Sequence, residues 1–396
     1  MFKKILWTVL VILGVVYPSQ SATIESTKRC QLAVNPLEYG FFAPLVFDET
    51  SKEFAKTDDN VILIDIGKTV TVSCDPGYFK SFPSSRVLKA KCIEGEELEL
   101  EDGIRKLWSA DFACDLRVVE EILTRSLTGC PTNAESSEFG YINPLTKATD
   151  IVGEACYSVE EGRTIFVHAV SSGALKTVPE SYLRVGRHPE SRNKMNLFRV
   201  LRQDTINGAF EEKMGGIQHV PMMGSKSLVT ADMLPSNQLH LVNRLIWNYG
   251  ISHNDETLKE WKALQKALGA LQSKSNVEYW AGVSGVQILK DAQGETFDFY
   301  LKDKKYPVPK YFWLVIKSGD KSTGVLFQNV PRNLKQTLDE GIIQCPEFCS
   351  TISWLEALKN IDETAGIQCC SVRRLKKIIP EVPDIPTISE KQDVTF

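Results

Sequence analysis

The cysteines divide this 396-residue chain into two regions. Six lie near the start and four near the end, with 188 cysteine-free residues between them: Cys30, Cys74, Cys92, Cys114, Cys130, Cys156, Cys345, Cys349, Cys369 and Cys370. Both groups are even, so each can close on itself in an oxidising compartment, with pairings that the sequence leaves open. A bond between the neighbours Cys369 and Cys370 would strain the peptide, so these two are predicted to pair separately with Cys345 and Cys349.

The N-terminus predicts such a compartment. Lys3 and Lys4 precede an apolar run from Ile5 to Tyr17, and small residues follow up to Ala22. This is the order of a secretory signal, and the run is shorter than the ~20 residues that span a bilayer as a helix. We therefore predict that residues 1–21 are a signal peptide. The mature protein is expected to be secreted and extracellular, with no membrane contact after cleavage.

The charge balance excludes a broadly basic protein. The chain carries 46 Lys and Arg against 50 Asp and Glu, and loss of residues 1–21 removes two lysines and no acid, which leaves a net charge of −6. The overall field therefore repels polyanions. Residues 181–202 differ, because they hold six basic residues and one acid, a local charge of +5. This segment suits a polyanion; a solvated helix or loop face is the alternative.

The first half of the chain has the pattern of a β structure. Runs rich in β-branched residues, flanked by Gly, Pro and Asp, predict strands, and an acidic run predicts a hairpin. The strands are expected at residues 60–66, 69–74 and 163–168, and the hairpin at 94–102. Residues 22–170 are therefore predicted to form a cysteine-rich β module.

The second half mixes helix and strand signals. Apolar residues recur at three- and four-residue steps from Leu258 to Leu271, which predicts a helix that Asn254 or Asp255 caps. Strands are expected at residues 277–283, 296–301, 311–317 and 324–329, and a short helix at 352–359. These elements predict a mixed α+β domain over residues 171–380. Residues 381–396 have the composition of an extended tail.

Motif spacing excludes the common metal hydrolases. The five histidines form no His-Glu-x-x-His pair, and no glycine-rich phosphate loop or nucleophile elbow is present. These histidines are His168, His188, His219, His240 and His253.

A family resemblance carries the interpretation further. The segments that carry it are Gly215-Gly-Ile-Gln-His219, Thr230-Ala-Asp232, Asn243-Arg-Leu-Ile-Trp247, and residues 277–283, 306–317 and 324–330. Together with the cysteine spacing, they resemble secreted insect-type members of the DNA/RNA non-specific endonucleases, the ββα-metal nucleases. The resemblance implies an α+β fold: a ββα-metal nuclease domain with a mixed antiparallel sheet, preceded by a disulfide-stapled β-rich domain.

The resemblance also implies a site. His219 would be the general base, Asn243 would bind Mg²⁺ or Mn²⁺, and Asp232 would be auxiliary. Arg199 and Arg202 would hold the nucleic acid. DNA and RNA would both be substrates, and the resemblance allows a homodimer.

The active-site motif is degenerate. The family has Asp-Arg-Gly-His where this chain has Gly216-Ile-Gln-His219, and a helical glutamate and arginine of the family fall at Ile251 and Asp255. Loss of such a glutamate typically costs ~10–100-fold in metal affinity or activity. Two functions therefore compete: an endonuclease with a weakened site, and an inactive relative that binds nucleic acid or protein.

Overall fold

The computed structural model describes most of the chain from Arg29 to Ile385 in separate ranges. The described ranges are 29–34, 42–55, 57–58, 61–116, 118–124, 127–171, 175–179, 202–213, 228–234, 249–253, 256–272, 276–291, 293–302, 304–329, 345 and 367–385. They contain 23 strands and four helices, and the ladders between these strands are antiparallel. The protein is thus mainly an antiparallel β structure, and the predicted ββα-metal nuclease domain of the α+β class was wrong.

A strand in place of a helix gives one physical reason for this correction. The resemblance placed Ile251 in a helix, but Tyr249–His253 forms a strand, β15, that pairs with Leu228–Asp232, β14. Ile251 is buried, and its backbone carbonyl accepts a hydrogen bond from the Asn329 side chain at 2.9 Å. Backbone groups used in a ladder cannot also make helical hydrogen bonds, so tertiary packing overrides the helical alignment here.

Two small sheets form the N-terminal part. The first has the order β1, β4, β3, and the second has the order β2, β5, β6, β7, β8. Their strands are β1 Arg29–Ala33, β2 Leu45–Asp48, β3 Thr57–Asp58, β4 Val61–Asp65, β5 Thr69–Ser73, β6 Val87–Glu94, β7 Glu97–Leu100 and β8 Arg105–Leu107. The predicted acidic hairpin is the β6–β7 connection, where Gly95 has a φ of 54°. A short helix, α1 (Trp108–Asp111), follows, and Trp108 Nε1 donates to the Ala33 carbonyl at 2.7 Å.

A nine-stranded sheet is the centre of the fold. Its order is β23, β22, β21, β16, β12, β11, β10, β9, and β13 also pairs with β11. The strands are β9 Glu120–Thr124, β10 Glu135–Ile142, β11 Ala148–Ser158, β12 Arg163–Val170, β13 Lys176–Pro179, β16 Glu278–Ser284, β21 Tyr311–Ser318, β22 Lys321–Gln328 and β23 Ile367–Cys370. We call β9–β13 the N-terminal half of this sheet and β16 with β21–β23 its C-terminal half. The two halves are hydrogen-bonded to each other through the β12–β16 ladder. The boundary predicted at residue 170, the end of β12, therefore falls inside one sheet.

Two further pairs of short strands lie between β16 and β21. Ile288–Lys290 (β17) pairs with Thr296–Asp298 (β18), and Tyr300–Lys302 (β19) pairs with Lys305–Pro307 (β20). Both connections are short, as expected for hairpins.

Helices cover both faces of the large sheet. On one face lies α3 (Glu256–Gln272), which confirms the predicted helix; its Trp261 ring is 5.4 Å from the Phe312 ring and 5.5 Å from the Phe327 ring. On the other face lies α4 (Val372–Ile378), whose Leu375 is fully buried. The alternation of side chains along β16, β21 and β22 separates the two apolar layers.

Residues after α4 also pack on the sheet. Glu381 accepts hydrogen bonds from Arg163 Nη2 at 3.2 Å and from Ser284 Oγ at 2.9 Å. Val382 is buried beside α4. Of the tail predicted for residues 381–396, the structure describes only 381–385.

Disulfides close within each cysteine group. The described bonds are Cys30–Cys92, Cys74–Cys114, Cys130–Cys156 and Cys345–Cys370. Cys369 is also disulfide-bonded, while Cys349 lies outside the described residues. The prediction that Cys369 and Cys370 do not bond to each other is confirmed for Cys370, which pairs with Cys345.

Gly282, at the middle of the sheet, leaves no room for a side chain. A Cβ there would collide with the Ile165 carbonyl and lie 2.6 Å from Trp313 Cζ2. We expect Gly282→Ala to lower the free energy of unfolding by about 1–3 kcal/mol, because strand backbone and a buried ring must shift. Urea denaturation measures this. Gly208→Ala is the control, since that exposed helical position has open space and should gain up to ~1 kcal/mol. Equal losses in both variants would contradict the prediction.

Candidate functional site

Three of the predicted site residues, His219, Asn243 and Arg199, lie outside the described residues. Of the other two, Asp232 is described in its backbone and Arg202 in full. The structure therefore describes the elements that flank the predicted site, and the roles of the three residues stay predictions.

The β14–β15 pair links the flanks of the predicted site. Asp232, the last residue of β14, is the Cα partner of Tyr249, the first residue of β15. The two ends of the connection that carries Asn243 are therefore close together in space, at the Asp232–Tyr249 end of the β14–β15 ladder. His219 lies in the connection between β14 and the preceding helix, α2 (Gln203–Lys213), and α2 contacts β14. Both connections thus start from one packed unit.

Buried contacts anchor this unit on the α3 face of the large sheet. Ala231, Met233 and Leu234 are buried in the same core as Trp261. The Asn329 side chain donates to the carbonyls of Ile251 and Pro309, at 2.9 and 2.8 Å. These contacts hold β14 and β15, where both connections meet the described structure, against the sheet.

Arg202 is exposed and immediately precedes α2. It forms an ion pair with Asp204, with Nε 3.3 Å from Oδ1, and both side chains are about two-thirds exposed. Exposed pairs of this kind contribute little stability, so Arg202 can exchange Asp204 for another anion at small cost.

A different cluster is fully described on the opposite, α4 face of the sheet. His168 Nδ1 lies 3.1 Å from Glu154 Oε2, and His168 Nε2 lies 2.9 Å from Glu278 Oε1. The His168 ring stacks on Trp280, with ring centroids 4.3 Å apart and planes 6° apart. Lys317 Nζ lies 3.4 Å from Glu278 Oε2. We call these five residues the His168 cluster.

Strand register brings the His168 cluster together. His168 on β12 is the Cα partner of Glu154 on β11 and of Trp280 on β16, and Glu278 is the Cα partner of Lys317 on β21. Four neighbouring strands therefore each supply at least one member. The His168 side chain is only 12% exposed, so its interactions are screened less by solvent than those of a surface pair.

The environment shifts the pKa of two members. Burial alone lowers the pKa of His168, but the hydrogen bonds to Glu154 and Glu278 outweigh it and raise the pKa above 6.5. The pKa of Glu278 is held below 4.5, chiefly by the hydrogen bond from His168 against the opposing effect of burial, with Lys317 adding to the decrease. Both shifts favour the charged forms.

Sequence reasoning did not identify the His168 cluster. A signal was present, since His168 and Glu278 are ionisable residues inside strand-forming runs, where a charge needs a partner. The partner was not readable, because Glu278 is 110 residues from His168. The described residues contain no group of three or more His, Cys, Asp and Glu side chains arranged to hold a metal ion.

Comparisons with known proteins do not identify a family for this chain. No family model and no curated protein matches the chain. One solved structure, a crystal structure of the EndoG/EndoGI complex concerned with the mechanism of EndoG inhibition, is similar at 14% identity and a TM-score of 0.25. The match covers 45% of this chain and 72% of that chain. At this level the likeness carries no argument about fold or function.

Four described disulfides fit an oxidising, extracellular environment. In the part of the chain that the structure describes, no helix is long and apolar enough to cross a membrane.

Proposed function

We propose that the protein is a secreted endonuclease that hydrolyses phosphodiester bonds of DNA and RNA without sequence specificity. The sequence pattern around His219 and Asn243 supports this proposal. The observation that carries it furthest is the β14–β15 pair, because the connections that hold these two residues start from one anchored unit.

The proposed hydrolysis needs only a few protein side chains. His219 would take a proton from the water that attacks phosphorus, so that one P–O bond forms as another breaks. Arg199 and Arg202 would bind the phosphate oxygens through charge-assisted hydrogen bonds. The exposure of Arg202 and the weakness of its pair with Asp204 are compatible with that role.

The resemblance assigns Mg²⁺ or Mn²⁺ to Asn243, with Asp232 nearby. When bound, such an ion would supply positive charge to the phosphate under attack. Because Asn243 and the Asp232 side chain lie outside the described part, this assignment rests on sequence alone.

Binding without hydrolysis is the second candidate function. The degenerate motif favours it, because Gly216-Ile-Gln-His219 lacks the arginine and the glycine that precede the histidine in the family. The +5 segment at residues 181–202 would then bind DNA, RNA or an acidic protein surface.

A cleavage assay separates the two functions. We expect purified, disulfide-bonded protein with Mg²⁺ to degrade plasmid DNA and single-stranded RNA, and a chelator to stop both reactions. No cleavage, combined with DNA retention that weakens steeply with salt, would overturn the endonuclease and support the binding function. Absence of cleavage and of retention would overturn both nucleic-acid functions.

A further inference from the structure

The hydrogen bonds of the His168 cluster require two ring N–H groups, and a neutral imidazole has only one. Both ring nitrogens face carboxylate oxygens, Nδ1 at Glu154 and Nε2 at Glu278. An ionised carboxylate only accepts hydrogen bonds, whereas a neutral imidazole has one N–H and an imidazolium has two. Two ionised partners can therefore both be satisfied only by the protonated ring.

The charges around the ring agree with that state. Protonated His168 and Lys317 balance ionised Glu154 and Glu278. The stacked Trp280 ring also favours a cation on its face. Glu138 on β10, the Cα partner of Glu154, adds a further buried acid on the same row of the sheet. Of these groups, Glu154 and Glu278 contact the ring nitrogens, Lys317 contacts Glu278, and Glu138 is one strand further away, beside Glu154.

The position of His168 in the sheet determines which contacts depend on its protonation. The two halves of the large sheet meet at the β12–β16 ladder, where His168 is the Cα partner of Trp280. Its Nδ1 bond reaches Glu154 in the N-terminal half, and its Nε2 bond reaches Glu278 in the C-terminal half. Loss of one proton would release one of the two bonds and leave a ring lone pair facing a carboxylate.

We propose that protonated His168 is a pH-sensitive clamp across the junction between the two halves of the nine-stranded sheet. The clamp strengthens the folded state in mildly acidic surroundings and weakens as the medium becomes neutral to alkaline. It lies on the α4 face, whereas the β14–β15 unit packs on the α3 face, so the clamp does not depend on the proposed hydrolysis.

The sign of the effect follows from linkage. Because the folded-state pKa of His168 is raised, the stabilisation is complete below the unfolded value of 6.5 and is lost as the pH rises through the folded-state pKa. In that window one proton changes the folding equilibrium constant by up to about tenfold per pH unit.

The test uses the full oxidised chain with ¹³C-labelled histidine. We expect one imidazole signal to titrate above 6.5, to vanish in His168→Gln, and to titrate at lower pH in Glu154→Gln, which keeps the shape and removes a charge. In urea denaturation, the ratio of wild-type to His168→Gln folding constants should fall as the pH rises above 6.5. Lys290→Gln, at an exposed position on β17, is the control and should keep the wild-type pH dependence.

Two results would overturn the clamp. One is a His168 titration at or below 6.5 in the wild type. The other is a folding-constant ratio that does not change with pH, which would make the residue a packing element only. If His168→Gln does not fold, the Glu154→Gln titration decides alone, and an unshifted signal there counts against the proposal.

Discussion

His219→Ala is expected to reduce the hydrolysis of DNA and RNA by about 10²–10⁴-fold, which would take a weakened enzyme to the detection limit. Alanine cannot accept the proton of the attacking water, whereas the anchored β14–β15 unit stays intact. Initial rates on plasmid DNA and on RNA, measured with Mg²⁺ at saturating substrate, test the effect. Both substrates should lose rate together, because the same base would serve both.

A second histidine variant makes this test specific. His168 lies on the α4 face of the sheet, whereas the β14–β15 unit packs on the α3 face, so His168→Gln should keep the wild-type hydrolysis rate at a pH where it is folded. Salt-dependent DNA retention by His219→Ala should also persist, since the basic segment is unchanged. Full activity in His219→Ala would remove that residue from the mechanism and leave the base unassigned.

Removal of the Cys30–Cys92 disulfide is expected to have the largest effect on stability. The bond closes a loop with a sequence separation of 62 and joins β1 of the small sheet to β6 of the five-stranded sheet. The loop-entropy relation gives a loss of about 4 kcal/mol for Cys30→Ala/Cys92→Ala. Both cysteines are fully buried, so lost packing adds to this value. Urea denaturation and amide exchange in β1 and β4 measure the loss.

The Cys130–Cys156 bond provides a matched comparison. Its sequence separation is 26, so the same relation predicts a loss smaller by about 0.8 kcal/mol for Cys130→Ala/Cys156→Ala. That bond ties the segment before β10 to β11, inside the large sheet. The exchange rates of β1 and β4 should therefore stay at wild-type values in this variant. Faster exchange in β1 for both variants would show that the two regions unfold together.

Local elements were largely readable from the sequence. The helix expected to begin near Asn254 is α3, and the strands expected at 69–74, 163–168 and 311–317 are β5, β12 and β21. Each of these segments carries its own periodicity or β-branched composition, which reports burial of one face. The expected strand at 296–301 is instead divided between β18 and β19, because the backbone of Phe299 between them donates to the Gln287 carbonyl and accepts from the Val308 N–H, outside both ladders.

The error at Ile251 has a different origin. The alignment to the family assigned helical positions to residues that pair as a strand in this chain. The five residues from Tyr249 to His253 are also too few for their hydrophobic periodicity to distinguish a helix from a strand. The pairing with β14 and the hydrogen bond from Asn329 decide their conformation. The predicted fold class failed at this point because the family alignment, and not a signal in these residues, had placed them in a helix.

By itself, the sequence determined the grouping of the cysteines, the local charge of residues 181–202 and the positions of several strands, because composition and short-range periodicity carry that information. Only the tertiary structure decided which strands are neighbours. The β12–β16 ladder joins segments more than a hundred residues apart and brings His168 onto Glu278, and no local pattern encodes that meeting. Strand order depends on how whole apolar faces are buried together, which is a property of the complete chain.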